Sequence, residues 1–301
     1  SDASEVIEPP GWEQVLAVDL DYTGIATDGR YLFVTGLSND AAVLWGVDPQ
    51  GDGQPVCLSR SLIWPTGVTY AYNRVWVSDA VRGVVSYDFD GLLGNCNCGA
   101  GPACVEETVG ISRMAGAADI ASDDSGRVYV LGTWEANPSA DTPRLVDYSA
   151  VWRFTPDQTV DDRPLIYGSQ LGASSPLALD VGPTGTQLYV VDAEGGLFAL
   201  FYNTVQGVWL TPSRVDSGLP GYPGGVALTE DGADLLWTTQ SPFASPMYES
   251  SHAGQLQRVS VSAVGRTRES LQGSLLNPTG VVDLAGSWCV TDRTNGVFCY
   301  R

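Results

Sequence analysis

Pro65-Thr66-Gly67-Val68, a turn, Arg74-Val75-Trp76-Val77-Ser78-Asp79, a second turn, then Gly83-Val84-Val85-Ser86-Tyr87-Asp88: this stretch decides the fold. Its apolar runs have strand length, and they are rich in the β-branched and aromatic residues that suit a pleated, buried surface. The breaks between them carry Gly, Asn and Asp, the residues of tight turns. The same pattern recurs five more times. It appears at Thr23-Gly24-Ile25-Ala26 with Arg30-Tyr31-Leu32-Phe33-Val34-Thr35, and at Asp119-Ile120-Ala121 with Arg127-Val128-Tyr129-Val130. It appears again at Leu177-Ala178-Leu179 with Gln187-Leu188-Tyr189-Val190-Val191-Asp192, and at Gly224-Gly225-Val226-Ala227 with Asp234-Leu235-Leu236-Trp237-Thr238. The last copy is Pro278-Thr279-Gly280-Val281 with Ser287-Trp288-Cys289-Val290-Thr291-Asp292.

The copies follow one another at about 43 to 58 residues, the period of propeller blades. Each unit reads as four antiparallel strands: a small-residue inner strand, a second and third strand buried on both faces, and an outer strand. Asp28-Gly29, Ser125-Gly126 and Asp231-Gly232 precede the second strand and supply the positive φ of a tight hairpin. The last unit ends after its third strand, at Arg301. Upstream of the first unit lies an orphan run, Gln14-Val15-Leu16-Ala17-Val18-Asp19-Leu20. It is expected to become the outer strand of the last blade, closing the ring and removing its free edge. The expected fold is therefore an all-β, six-bladed β-propeller over residues 13–301, preceded by a flexible segment, 1–12. No linker interrupts the repeat.

The unit Arg74-Val75-Trp76-Val77-Ser78-Asp79 with Val84-Val85-Ser86-Tyr87-Asp88-Phe89-Asp90-Gly91 resembles the blade of NHL and YWTD six-bladed propellers. The resemblance spans nearly the whole chain and concerns fold. It implies a scaffold on which adhesion domains, lyases and sugar-lactone hydrolases are all built, so it does not select a function.

Composition narrows the function classes. Thirty-five acidic residues face 15 basic ones, all of them Arg, for a net charge of −20. Such a chain repels polyanions, which disfavours nucleic acid and an anionic bilayer surface as partners. No apolar run reaches the length of a membrane span. Residues 1–12 show neither a basic nor an apolar signal-peptide region. The six cysteines Cys57, Cys96, Cys98, Cys104, Cys289 and Cys299 suit an oxidising compartment, so the mature protein is expected to be secreted, periplasmic or at the cell surface. Asn137 and Asn277 are each followed by Pro, leaving no glycosylation sequon, as in a bacterial exported protein.

Cys289 and Cys299 flank the turn Arg293-Thr294-Asn295. If Asp292 faces Gly296, the two cysteines lie opposite each other within disulfide reach. The other four admit three pairings, of which Cys57–Cys96 with Cys98–Cys104 is favoured. Their spacing is poor for structural zinc.

Two connections between second and third strands are enlarged. One spans 133–149 and carries Trp134, Glu135 and Tyr148. The other spans 239–254 and carries Gln240, Phe243, Tyr248, Glu249 and His252. Both are expected on one face of the ring, where they form a binding site for a protein or glycan. His252 is the sole histidine, so a multi-histidine metal site is excluded. With no Lys there is no Schiff base, and no nucleophile elbow, zinc-protease motif or P-loop occurs. No cofactor is expected except calcium, which has two candidate places. Asp48-Pro49-Gln50-Gly51-Asp52-Gly53 partly matches a calcium loop but lacks its closing Glu, and it also reads as a hairpin turn like Asp88-Phe89-Asp90-Gly91. Asp180 and Asp283, read as equivalent positions on inner strands, are candidate ligands in the channel. Gluconolactonase-like propellers hold a metal there with Glu, Asn and Asp, but their first-strand Glu has no counterpart in this sequence. The expected function is non-enzymatic binding through the enlarged loops; the alternative is a calcium-dependent, lactonase-like hydrolase working at the channel mouth.

Overall fold

The structure, a computed structural model, describes residues 11–300 apart from 18–19, 39–40, 52–53, 94, 99–100, 102, 112–113, 135–147, 156–163, 174, 218–221, 241–253, 262–267, 272–274 and 294. Each copy of the repeat folds into one antiparallel sheet. Blade 1 runs from its inner strand Asp21–Thr27 through Leu32–Leu37 and Ala42–Val47 to Val56–Ser59. Blade 2 is Pro65–Ala71, Arg74–Asp79, Gly83–Asp88 and Glu106–Val109. Blade 3 is Met114–Ser122, Val128–Trp134, Tyr148–Phe154 and Ile166–Tyr167. Blade 4 is Pro176–Val181, Gln187–Asp192, Gly196–Asn203 and Ser213–Ser217, with Val208–Trp209 pairing on the far end of its third strand. Blade 5 is Tyr222–Leu228, Asp234–Gln240, Gln255–Ser260 and Arg268–Leu271.

Blade 6 contains Pro278–Leu284, Ser287–Asp292 and Gly296–Tyr300, and its outer strand is Trp12–Leu16 from the start of the chain. Trp12 pairs with Tyr300 and Gln14 with Phe298. The Gln14 side chain also donates to the Asn295 carbonyl at 2.6 Å. The closing strand thus begins two residues earlier than the apolar pattern indicates, because Trp12 packs edge-on against Tyr300. Inner strands pack side by side around a full circle, from blade 1 through blade 6 and back to blade 1.

There is no single core. Six apolar clusters each fill the space between consecutive blades, which is why second and third strands are apolar on both faces. Between blades 1 and 2, Phe33 stacks on Tyr70 and meets Phe89 edge-on, with Leu44, Leu58, Val75 and Val85 around them. Burying one such side chain contributes about 1.5–3 kcal/mol.

Every inner strand carries a β-bulge near its start. The residue that resumes pairing is Gly24, Gly67, Ala178 or Gly280 in blades 1, 2, 4 and 6, and Gly225 holds this place in blade 5. The recurrent Thr-Gly belongs to this bulge. Thr66 Oγ1 donates to the Ala117 carbonyl of blade 3, and Thr279 Oγ1 to the Tyr22 carbonyl of blade 1. The hydroxyl ties blade to blade, and the Gly leaves room for the neighbouring inner strand.

The Asp that ends the second strand in blades 2, 4 and 6 is equally structural. Asp79 is fully buried, and its carboxylate accepts from Ile63, Trp64, Val81 and Arg82 N–H groups. Asp192 accepts from Ser175 and Glu194, and Asp292 from Leu276 and Asn277. One side chain therefore fixes the loop entering the inner strand, and in blades 2 and 4 also the turn leaving the second.

The disulfides correct one expectation. Cys289 lies opposite Cys299, with Cα atoms 4.1 Å apart, and bonds to it as expected. The other pairs are Cys57–Cys98 and Cys96–Cys104, not Cys57–Cys96 and Cys98–Cys104. The Cys98 N–H donates to the Cys57 carbonyl at 2.8 Å, which sets the loop beside the outer strand of blade 1 with Cys98 as the near cysteine. Cys104 follows, its N–H on the Leu58 carbonyl.

Candidate functional site

The six inner strands enclose a channel of about 920 Å³. Tyr22, Trp64, Leu177, Gln240 and Arg293 line the end where inner strands begin. Asp124, Pro183, Glu230, Asp283 and Ala285 line the end where inner strands turn into second strands. The first end carries an apolar rim. Trp64 is 55% exposed, and Ile63, Val81, Leu177 and Leu276 are exposed on loops and strand ends of the same face. Trp64 is held there from below, because its N–H and that of Ile63 both bind buried Asp79.

Both enlarged connections leave the ring on this face. Trp134 pairs with Tyr148 in the backbone register and closes the base of the first. Gln240 ends the second strand of blade 5 and lines the channel. Glu135, Phe243, Tyr248, Glu249 and His252 lie outside the described residues, as does Asp52. Asp48 caps its own turn, its carboxylate accepting from Gln50 N–H at 2.9 Å and its carbonyl from Gly51.

The channel carboxylates act as clamps between blades. Asp180 of blade 4 accepts the Leu228 N–H of blade 5 at 2.5 Å. Asp283 of blade 6 accepts the Glu230 N–H at 2.9 Å from the other side, and also the Gly286 N–H. The two positions are not equivalent, which corrects the expectation from the repeat. Asp180 stands two residues beyond the post-bulge Ala178, whereas Asp283 stands three beyond Gly280, so the counterpart of Asp180 is Val282. The hairpin of blade 6 pairs one residue further than that of blade 4, and a one-residue offset reverses the face.

Asp119 is the residue that sequence reasoning passed over. It resumes pairing after the bulge of blade 3, where the other blades have Gly or Ala. Its Oδ2 accepts the Leu179 N–H of blade 4 at 2.8 Å, and its Oδ1 the Ile120 N–H. Burial pushes its carboxyl up to about 7, the nearby Asp180 charge adds to the push, and the two N–H groups resist it. Burial likewise pushes Asp180 up to about 7 against the N–H groups of Leu228 and Val181. The signal was present in the sequence, as the one acid aligned with five small residues.

A divalent cation needs several converging oxygen ligands. Among the described residues no group of three His, Cys, Asp or Glu side chains stands close enough to hold one. Asp180 and Asp283 reach blade 5 from opposite sides and spend oxygens on backbone N–H groups. No helix among the described residues is long and apolar enough to cross a membrane.

No family model matches the chain, and no curated protein does. Solved structures do. A gluconolactonase from Xanthomonas campestris aligns over 96% of this chain and 88% of its own, with a TM-score of 0.65 and 14% identity. An auxiliary nutrient binding protein from Bacteroides ovatus aligns over 96% and 72%, at TM-score 0.59 and 14% identity. A protein of unknown function from Bacteroides thetaiotaomicron aligns over 97% and 72%, at TM-score 0.60 and 12% identity. At such identities the likeness is one of fold, and it agrees with the six-bladed β-propeller.

Proposed function

We propose that the protein is an exported, non-enzymatic binding propeller that engages a protein or glycan on the face where its inner strands begin. The apolar rim carries this conclusion: Trp64, with Ile63 and Val81 beside it, is exposed at the channel mouth although a buried carboxylate holds its backbone in place. Rigidly presented aromatic surface is what recognition sites use as an anchor. The three disulfides fit an oxidising compartment. A calcium-dependent lactonase needs converging ligands, which the described carboxylates do not supply.

The test is a screen of the protein against a glycan array and a displayed-peptide library. An Ile63→Ser/Trp64→Ala variant is run beside it, with Tyr72→Ala on the opposite face as control. Hits that disappear with the rim variant and survive the control are expected. Hits indifferent to the rim, or none with the unaltered protein, would overturn the proposal.

A further inference from the structure

Blades 3, 4 and 5 are joined at the channel wall by two successive carboxylate clamps. Asp119 reaches from blade 3 to the Leu179 N–H, and the next residue, Asp180, reaches from blade 4 to the Leu228 N–H. The Asp119 carboxylate also fills the space over Gly67 of blade 2, where a methyl group would lie 2.1 Å from its Oδ1. The interfaces of blade 2 with blade 3 and of blade 6 with blade 1 use Thr hydroxyls on carbonyls for the same purpose, and those do not titrate. Among the described residues no cation pairs with either acid. Arg293, the one basic residue lining the channel among the described residues, pairs with Asp21 at its rim.

Around Asp119, blade 2 offers Gly67, and blade 4 offers Asp180. Around Asp180, blade 3 offers Asp119 and blade 5 the following Glu230. Asp124, Asp283 and Arg293 are the remaining charged groups lining the channel. Two half-buried acids on the channel wall therefore act on each other with no counter-charge among the described residues, each holding a neighbouring blade. Carboxylates that are partly desolvated beside a like charge take up protons.

We propose that Asp119 and Asp180 form a proton-responsive pair across blades 3, 4 and 5, which stabilises the ring as the surroundings pass from neutral to mildly acidic. Protonation removes the repulsion between the two side chains and the cost of burying their charge. Each carboxyl keeps an oxygen able to accept its N–H, so the inter-blade bonds weaken but survive the change. Both groups lie at about 7 in the folded chain, above the ordinary carboxylate value of 3.8. Their stabilisation is thus complete below about pH 4 and is lost as pH rises through 7, the reverse of a salt-bridged carboxylate.

Carboxyl carbon NMR of Asp-labelled protein, titrated from pH 4 to 9, tests this. Asp119→Asn and Asp180→Asn assign the signals. Two carboxyls titrating as a coupled pair near pH 7 are expected, well apart from the other aspartates. The backbone amides of Leu179 and Leu228 should shift with the same midpoints, and Asp180→Asn should lower the Asp119 midpoint. Titration of both groups near pH 4 would overturn the proposal, and so would amides that do not follow the carboxyls. The unaltered protein decides it even if a variant fails to fold.

Discussion

Gly67→Ala tests how tightly the inner strands are packed. A Cβ at this position would lie 2.1 Å from Asp119 Oδ1, 3.0 Å from Ser78 Oγ and 3.2 Å from the Asp119 Cα. The first atom can swing away, but the last is backbone of the adjacent blade. Overpacking of this kind costs about 1–3 kcal/mol. Swinging the carboxylate aside also breaks its bond to the Leu179 N–H, adding about 1 kcal/mol. The expected loss is about 2–4 kcal/mol, read as a lower midpoint in urea followed by tryptophan fluorescence at pH 7. The double variant Gly67→Ala/Asp119→Ala removes the clashing oxygen but not the backbone contact. It should therefore recover part of the loss, a favourable coupling of about 1 kcal/mol. A neutral Gly67→Ala, or costs that simply add, would refute this close packing of blade 2 against blade 3.

Other consequences can be checked directly. Partial reduction and peptide mass mapping should recover Cys57–Cys98 and Cys96–Cys104. With a separation of 41 residues, removing the first as a Ser pair costs about 4 kcal/mol by chain entropy, against about 2.5 kcal/mol for the second with a separation of 8. Asp79→Asn leaves one acceptor where four N–H groups converge, so it should cost about 2 kcal/mol and lower the thermal midpoint, while Asp90→Asn on an exposed turn should not. Millimolar calcium against excess EDTA should leave the thermal midpoint unchanged; a clear rise with calcium would return the channel to the hydrolase alternative.

What the sequence disclosed depended on period. Six copies of one strand pattern specify six sheets, and the missing last strand with the orphan run near Gln14 specifies how the ring closes. Cys289 and Cys299 were legible because a hairpin has a register that can be counted from Asp292 and Gly296. Cys96 and Cys98 sit in a loop without a period, two residues apart, and each is within reach of Cys57 until a backbone bond chooses. The mispairing of Asp180 with Asp283 has a similar cause. A bulge and a hairpin one pair longer leave no mark on an apolar pattern, yet together they decide which face a side chain takes.

The same register shows where the second-to-third connection lengthens. The residue opposite the start of the bulge is Asp79, Asp192 and Asp292 in blades 2, 4 and 6, and each is followed by a short turn. In blades 3 and 5 it is Gly132 and Thr239, and those blades have the long connections. An Asp here ties the entering loop and, as at Asp79, the turn; blade 1 has Gly36 in this place and keeps a short connection, so lack of the Asp permits lengthening without requiring it. A graft follows from this correspondence, since Asp79 faces Gly83 as Thr239 faces Gln255. Replacing Thr239 by Asp, 240–254 by Ala-Val-Arg and Gln255 by Gly gives blade 5 the turn of blade 2. Shortening a loop changes closure entropy little, and Thr239 faces Pro223 as Asp79 faces Pro65. The graft should fold with a thermal midpoint near that of the parent and should lose the ligands found on the array. A folded graft that still binds them would place recognition on the rim around Trp64 alone, without the connection of blade 5.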